Sequence, residues 1–143
     1  DPFAGLGLAT ACSNGLALGD LDMDGLIDAI VDCDGLQILH GKRGGGFEVV
    51  SSEMEFFRGV QGRGICSRIT LGDLNGDGVQ DLILDSSYLS DSAKLRFFPG
   101  ILGGGFQEAT GPDANPFSDM PRTNIWVSAA LGDLDGDGFA EIA

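Results

Sequence analysis

Three copies of one acidic string constrain this chain more than any other feature. LGDLDMDGLID at 18–28 returns as LGDLNGDGVQD at 71–81 and as LGDLDGDGFAE at 131–141. The leading carboxylates, Asp20, Asp73 and Asp133, are 53 and 60 residues apart. A chemically unrelated string keeps nearly the same spacing, GKRGGGF at 41–47 and GILGGGF at 100–106, 59 residues apart. Two independent signatures on one period mark a repeat, so the fold must be an array of similar small units.

Within each unit the pattern is β. A short run, LALG, ITLG or AALG, precedes each acidic string, and an apolar run, DAIVD or DLILD, follows the first two. Such continuous runs suit strands covered on both faces. LQILHG or LRFFPG comes next, then the glycine turn, then FEVV or FQEA. The 24 Gly and 5 Pro supply turn chemistry between these runs, and no helical period occurs. The expected fold is all-β, in four-stranded antiparallel sheets of about 55 residues, the form of a β-propeller blade. The expected organisation is the tail of a blade at 1–8, blades at 9–60 and 61–122, and the start of another at 123–143. That is a partial propeller of about two and a half blades from a longer chain. Its open faces need neighbouring blades from the same chain or from other subunits.

In the acidic string, counted from its first Asp, side-chain oxygens fall at positions 1, 3, 5 and 9, with Gly at 6 and an apolar residue at 7. The first copy offers Asp20, Asp22, Asp24 and Asp28, with the backbone carbonyl of Leu26. The second offers Asp73, Asn75, Asp77 and Asp81 with Val79, and the third Asp133, Asp135, Asp137 and Glu141 with Phe139. The first seven positions match an EF-hand calcium loop, in which hard oxygens surround a hard cation. The EF-hand's bidentate Glu at position 12 is absent, since Val31 and Leu84 stand there inside strands. A loop closed early by an acid at position 9 suits a β-hairpin. Asp and Gly also favour ordinary turns, but three copies in register, each between strands, point to calcium. Magnesium, which keeps more of its water, fits less well.

Charge supports this. The chain carries 22 acidic against 8 basic residues, and the three strings hold eleven of the acids. Such a balance argues against nucleic acid or an anionic membrane as partner. No apolar run reaches the roughly 18 residues a spanning helix needs.

Strand, D-x-[DN]-x-D-G-x-x-[DE], strand, then G-x-x-G-G-G-F resembles the FG-GAP repeat of integrin α subunits and the similar VCBS repeat of extracellular proteins. The resemblance covers residues 9–143. It implies a propeller of about seven blades with Ca2+ in the hairpin between the first two strands of each blade. It further implies adhesion, recognition or scaffolding outside the cell, secreted or at the cell surface, rather than catalysis. Two alternatives are a glycan-binding lectin propeller and the propeller part of a secreted enzyme such as a polysaccharide lyase. Thrombospondin-type repeats recur at shorter periods, RTX repeats need a nonapeptide period, and dockerins need helices.

Other residues carry weaker expectations. Cys12 and Cys33 flank the first hairpin; with Asp20 opposite Asp28 they fall roughly level, so they form a disulfide or are two small buried residues. Cys66 has Ser86 at the matching position and is free or pairs elsewhere. His40, the one histidine, aligns with Pro99 and reads as a surface turn residue. Asp32 and Asp34 read as loop residues rather than an acid–base pair. Up-and-down topology puts the calcium loops and glycine turns on one face. On the other face lie Asp85 to Lys94 with Tyr88 and the connectors 51–64 and 110–124. Those connectors carry Phe56, Phe57, Arg58, Phe117, Met120 and Arg122, with Trp126 just beyond. A protein or glycan partner is expected on that face, although Phe56, Phe117 and Trp126 equally suit sealing sheet against sheet.

Overall fold

The computed structural model describes residues 5–7, 12–33, 36–50, 57–58, 68–85, 95–119, 131–132 and 141–142. Their regular structure is entirely β. Strands β1 (Cys12–Gly19), β2 (Asp28–Cys33), β3 (Leu36–Gly41) and β4 (Phe47–Val49) form one antiparallel sheet in that order. After the two-residue β5 (Phe57–Arg58), strands β6 (Arg68–Gly72), β7 (Asp81–Asp85) and β8 (Leu95–Phe98) form a second antiparallel sheet. Beyond these come β9 (Phe106–Gln107) and a short antiparallel pair, β10 (Leu131–Gly132) and β11 (Glu141–Ile142).

The four runs expected as strands in the first repeat are β1 to β4. In the second repeat the fourth run follows the edge of β8. Gln107 N–H donates to the Pro99 carbonyl at 3.2 Å and Ala109 N–H to that of Phe97 at 2.9 Å. The other side of β9 holds a feature that sequence reasoning missed: β5 pairs with it in parallel, Phe57 beside Phe106 and Arg58 beside Gln107. A two-residue strand inside a connector has no period to read.

The first hairpin pairs Gly19 with Asp28, one residue from the expected pairing of Asp20 with Asp28. The reason is local. Asp20 leaves the strand because its carboxylate accepts N–H groups from Asp24 and Gly25 inside the loop. The other hairpins close in the same register, Gly72 with Asp81 and Gly132 with Glu141. An irregularity between Cys12 and Leu16 then sets the Cys12 backbone opposite that of Cys33.

Period-2 alternation assigns the apolar runs to faces. Ile30 of β2 and Ile38 of β3 face the second sheet, where they share a core with Ile69, Leu82, Leu84, Phe98 and Phe106. On the far face of the first sheet Ala29, Val31 and Leu39 pack with Leu6 and Phe47. On the far face of the second, Ile83, Leu95, Phe97 and Phe117 form a third cluster. Both central strands are therefore covered on both sides, which accounts for their lack of polar alternation. Each large aliphatic side chain so buried contributes about 1.5–3 kcal/mol against the cost of ordering it.

The first strands lie side by side, β1 next to β6 and β6 next to β10. Glycines at their ends leave room for neighbouring side chains. A Cβ on Gly19 would meet Oε1 of Gln80 at 2.1 Å, and one on Gly72 would meet Cδ1 of Leu131 at 2.5 Å. In the glycine turns, Gly44, Gly45 and Gly46 take φ of 98°, 97° and 82°, and Gly103, Gly104 and Gly105 take 90°, 105° and 97°. Three successive left-handed residues are accessible only to glycine at low cost, so the GGG triplet is a backbone requirement.

Candidate metal centre

Each acidic loop is first a set of hydrogen bonds. In the first, Asp20 accepts Asp24 N–H on Oδ1 at 3.1 Å and Gly25 N–H on Oδ2 at 2.9 Å. Asp22 Oδ1 accepts the same Asp24 N–H at 3.1 Å, and Asp24 Oδ1 accepts Leu26 N–H at 2.8 Å. The second loop repeats these bonds with Asp73, Asn75 and Asp77 as acceptors and Asp77, Gly78 and Val79 as donors. Alternate-position acids thus do two things. They build successive side-chain turns, and they draw oxygens together: one each from Asp20, Asp22 and Asp24 lie within 4.8 Å of one another. That donor set is all hard oxygen, which suits calcium. In the second loop the amide of Asn75 replaces one carboxylate and donates to Asp77 Oδ2 at 2.9 Å.

The acid at position 9 has a role its spacing did not disclose. Asp28 is 1 % exposed and Asp81 0 %. Asp28 accepts Leu21 N–H on Oδ2 at 2.9 Å and Gly41 N–H on Oδ1 at 2.8 Å. Asp81 does the same with Leu74 and Gly100, at 2.9 and 2.8 Å. Each carboxylate ties the loop to the end of the third strand of its sheet. A Cβ on Gly41 or Gly100 would come 2.3 Å from the carbonyl oxygen of Ile27 or Gln80, so glycine is what lets its N–H reach the acid. The invariable Gly at the head of each GxxGGGF string was the available signal. Each carboxylate oxygen keeps a second lone pair, so the tie and cation binding are compatible. Burial, the largest influence, pushes the Asp81 carboxyl above 3.8, and the charges of Asp77 and Asp73 add to it against the two backbone N–H bonds.

Two further readings change. His40 lies within β3, opposite Glu48, and is not a turn residue; its Nδ1 is 3.0 Å from Asp22 Oδ2 and 4.0 Å from Asp28 Oδ1. Asp32 is a strand residue of β2, 4 % exposed, and not part of a loop. It occupies the position that Asp85 holds in β7, where the acid is also buried. The continuous apolar run of each strand ends on these acids, which a pattern search reads as loop starts.

Asp133, Asp135, Asp137 and Phe139 lie outside the described residues, and of Glu141 only its backbone pairing with Gly132 is described. Asp34, Cys66, Phe56, Tyr88, Met120, Arg122 and Trp126 also lie outside them. Phe117 packs edge-on against Phe97, centroids 6.3 Å apart at 83°, so it seals the sheet face. Near it, at the end of β8 away from the acidic loop, a cavity of about 440 Å³ is lined by Arg96, Glu108, Asn115 and Ser118 among others. Arg96 and Glu108 form a two-pronged ion pair there, with bonds of 2.7 and 2.6 Å.

Met23 carries the one positive φ on a non-glycine among the described residues, 65°. The second loop has Gly76 at this position, φ 73°. The left-handed region costs a residue with a Cβ about 1–2 kcal/mol, partly offset by the greater unfolded-state freedom of glycine. Met23→Gly is expected to stabilise the chain by roughly 0.5–1 kcal/mol, read as a raised denaturation midpoint at unchanged slope. A lowered midpoint would show that the Met23 side chain contributes more than its backbone costs.

These features define the class: an all-β protein of antiparallel sheets whose hairpins carry acidic, oxygen-rich loops. Comparison with family models, with curated proteins and with solved structures finds no match to the chain.

Proposed function

We propose that this chain is a segment of a calcium-stabilised β-propeller of the FG-GAP/VCBS kind. It works outside the cell as a recognition, adhesion or structural scaffold and not as an enzyme. The supporting observation is the repeated loop. Six backbone-to-carboxylate or backbone-to-amide hydrogen bonds recur, position for position, in 20–28 and 73–81. The same arrangement brings one oxygen each of Asp20, Asp22 and Asp24 within 4.8 Å of one another, a spacing that a shared cation would use. Residues Asp20, Asp22, Asp24 and Asp28 would hold the ion in the first loop, Asp73, Asn75, Asp77 and Asp81 in the second. Asp133, Asp135, Asp137 and Glu141 would do so in the third, with the carbonyls of Leu26, Val79 and Phe139 completing the sets. Calcium supplies charge compensation there. The loops supply its geometry. The propeller reading draws on the adjacency of β1, β6 and β10, the strands that lead into the three acidic strings.

The partner belongs on the face opposite the acidic loops. A glycan-binding module is the second reading, favoured by the cavity beside Arg96 and Glu108, whose paired planar groups offer both donors and acceptors to hydroxyls. Terbium luminescence titration tests the main reading: saturation at one ion per loop, displaced by calcium and not by magnesium, is expected. Absence of any saturable site would overturn it.

The extracellular assignment has its own measurement. Antiparallel partners lie about 4.5–5.5 Å apart at Cα, inside the range a disulfide spans. Cys12 and Cys33 are such partners. Intact mass under non-reducing conditions is expected to show the loss of two hydrogens, with Cys12 and Cys33 peptides joined. Alkylation of both Cys12 and Cys33 would remove the bridge and weaken the case for an oxidising compartment.

A further inference from the structure

We propose that His40 lets the first acidic loop also take a zinc-class divalent cation, at a mixed nitrogen–oxygen site and in competition with calcium, while the second loop remains an oxygen site for calcium alone. This rests on the reading that the loops bind cations, and it separates two loops whose sequences look equivalent.

The ligand atoms come from three different elements. Asp22 belongs to the loop, Asp28 opens β2 and His40 lies in β3. One atom from each falls within 4.8 Å of the others. His40 Nδ1 is 3.0 Å from Asp22 Oδ2 and 4.0 Å from Asp28 Oδ1. Zinc bonds of about 2.0–2.2 Å in a tetrahedral site place every pair of ligands roughly 3.3–3.6 Å apart. The observed 3.0 and 4.0 Å lie on either side of that value, so the donors would each shift by about half an ångström to close on the ion. Asp22 is divided between two tasks: Oδ1 accepts Asp24 N–H and Oδ2 faces the imidazole. Asp28 is buried and held by two backbone donors. Two of the three ligands are thus positioned before any ion arrives.

Chemistry decides the ion. Carboxylates and carbonyls alone suit calcium and magnesium, whereas imidazole suits zinc and its first-row neighbours. Pro99 stands in the second repeat where His40 stands in the first, and it brings no donor. Asp22 also belongs to the group with Asp20 and Asp24. Zinc at the mixed site therefore competes with calcium in the first loop and leaves the second untouched.

His40 is the one histidine in the chain, so nitrogen NMR of a single imidazole reads this site directly. With zinc added to the chain, the His40 Nδ1 resonance is expected to shift and saturate at one equivalent, and calcium in excess is expected to reverse it. His40→Gln, which keeps a hydrogen-bonding group beside Asp22, is expected to weaken zinc binding at least about tenfold and calcium binding less than about threefold. An imidazole resonance that zinc leaves in place overturns the proposal, as does zinc affinity unchanged in His40→Gln. Terbium at the second loop, abolished by Asp77→Ala, keeps the two ideas apart. If terbium binds there and zinc leaves His40 unmoved, this inference alone fails; if neither loop takes any ion, the underlying reading fails with it.

Discussion

Asp28→Asn is expected to destabilise the metal-free chain by about 2–4 kcal/mol, lowering its melting temperature by roughly 5–15 °C. The carboxylate accepts an N–H on each oxygen, from Leu21 and from Gly41, while 1 % exposed. Asparagine is nearly the same size but has one acceptor oxygen; its NH2 group would face a second donor. One buried N–H loses its partner and meets a like dipole. Asp24→Asn, at an exposed loop position, is the control and is expected to cost less than about 1 kcal/mol. Equal effects of the two changes would mean that the tie between loop and third strand contributes nothing special.

The matching change Asp81→Asn adds a pH dependence. Burial first, then the charges of Asp77 and Asp73, raise the Asp81 carboxyl above 3.8. A carboxyl raised in the folded state contributes stability that is present below the unfolded value of 3.8 and lost as pH climbs through the folded one. The penalty for Asp81→Asn without metal is therefore expected to be larger near pH 3.5 than at pH 7, measured by urea denaturation at both. A penalty that grows with pH would reverse the sign and the argument.

Removing calcium is expected to cost about 1–4 kcal/mol over three loops. Extracellular calcium modules bind with Kd of order 10⁻⁴ to 10⁻³ M against free calcium of order 10⁻³ M. Linkage gives roughly 0.4–1.4 kcal/mol per site, a large share of a marginal stability. The physical source is repulsion: the oxygens of Asp20, Asp22 and Asp24 converge within 4.8 Å, and without a cation folding bears that cost. Melting should shift upward in calcium, much less in magnesium, and downward with chelator. Asp24→Ala should weaken its own loop and leave the Asp77 loop intact, since distant sites couple little. One melting temperature in all three conditions would reduce the loops to acidic turns.

The repeat, the β character and the acidic hairpins were legible in the sequence because each is decided within a few residues. The side chains at alternate positions bond to N–H groups a few residues on, Asp20 and Asp73 four and five residues ahead, Asp22 and Asp24 two. A GGG triplet fixes a turn by its own φ values, and a run such as DLILD reports a strand covered on both faces. Tertiary structure alone decided which partner each group met. Asp28 and Asp81 bond to glycines 13 and 19 residues away, so equal sequence spacing in the loop does not carry through to the tie. His40 meets Asp22 because β3 lies beside β2 in one register; the helical or strand period of its neighbours says nothing about that contact. The pairing of Phe57–Arg58 with Phe106–Gln107 likewise depends on where two connectors come to rest. Local backbone bonding is decided by neighbouring residues and is read from them; contacts between distant segments are selected by packing and register, and leave at most a required residue such as Gly41 or Gly100.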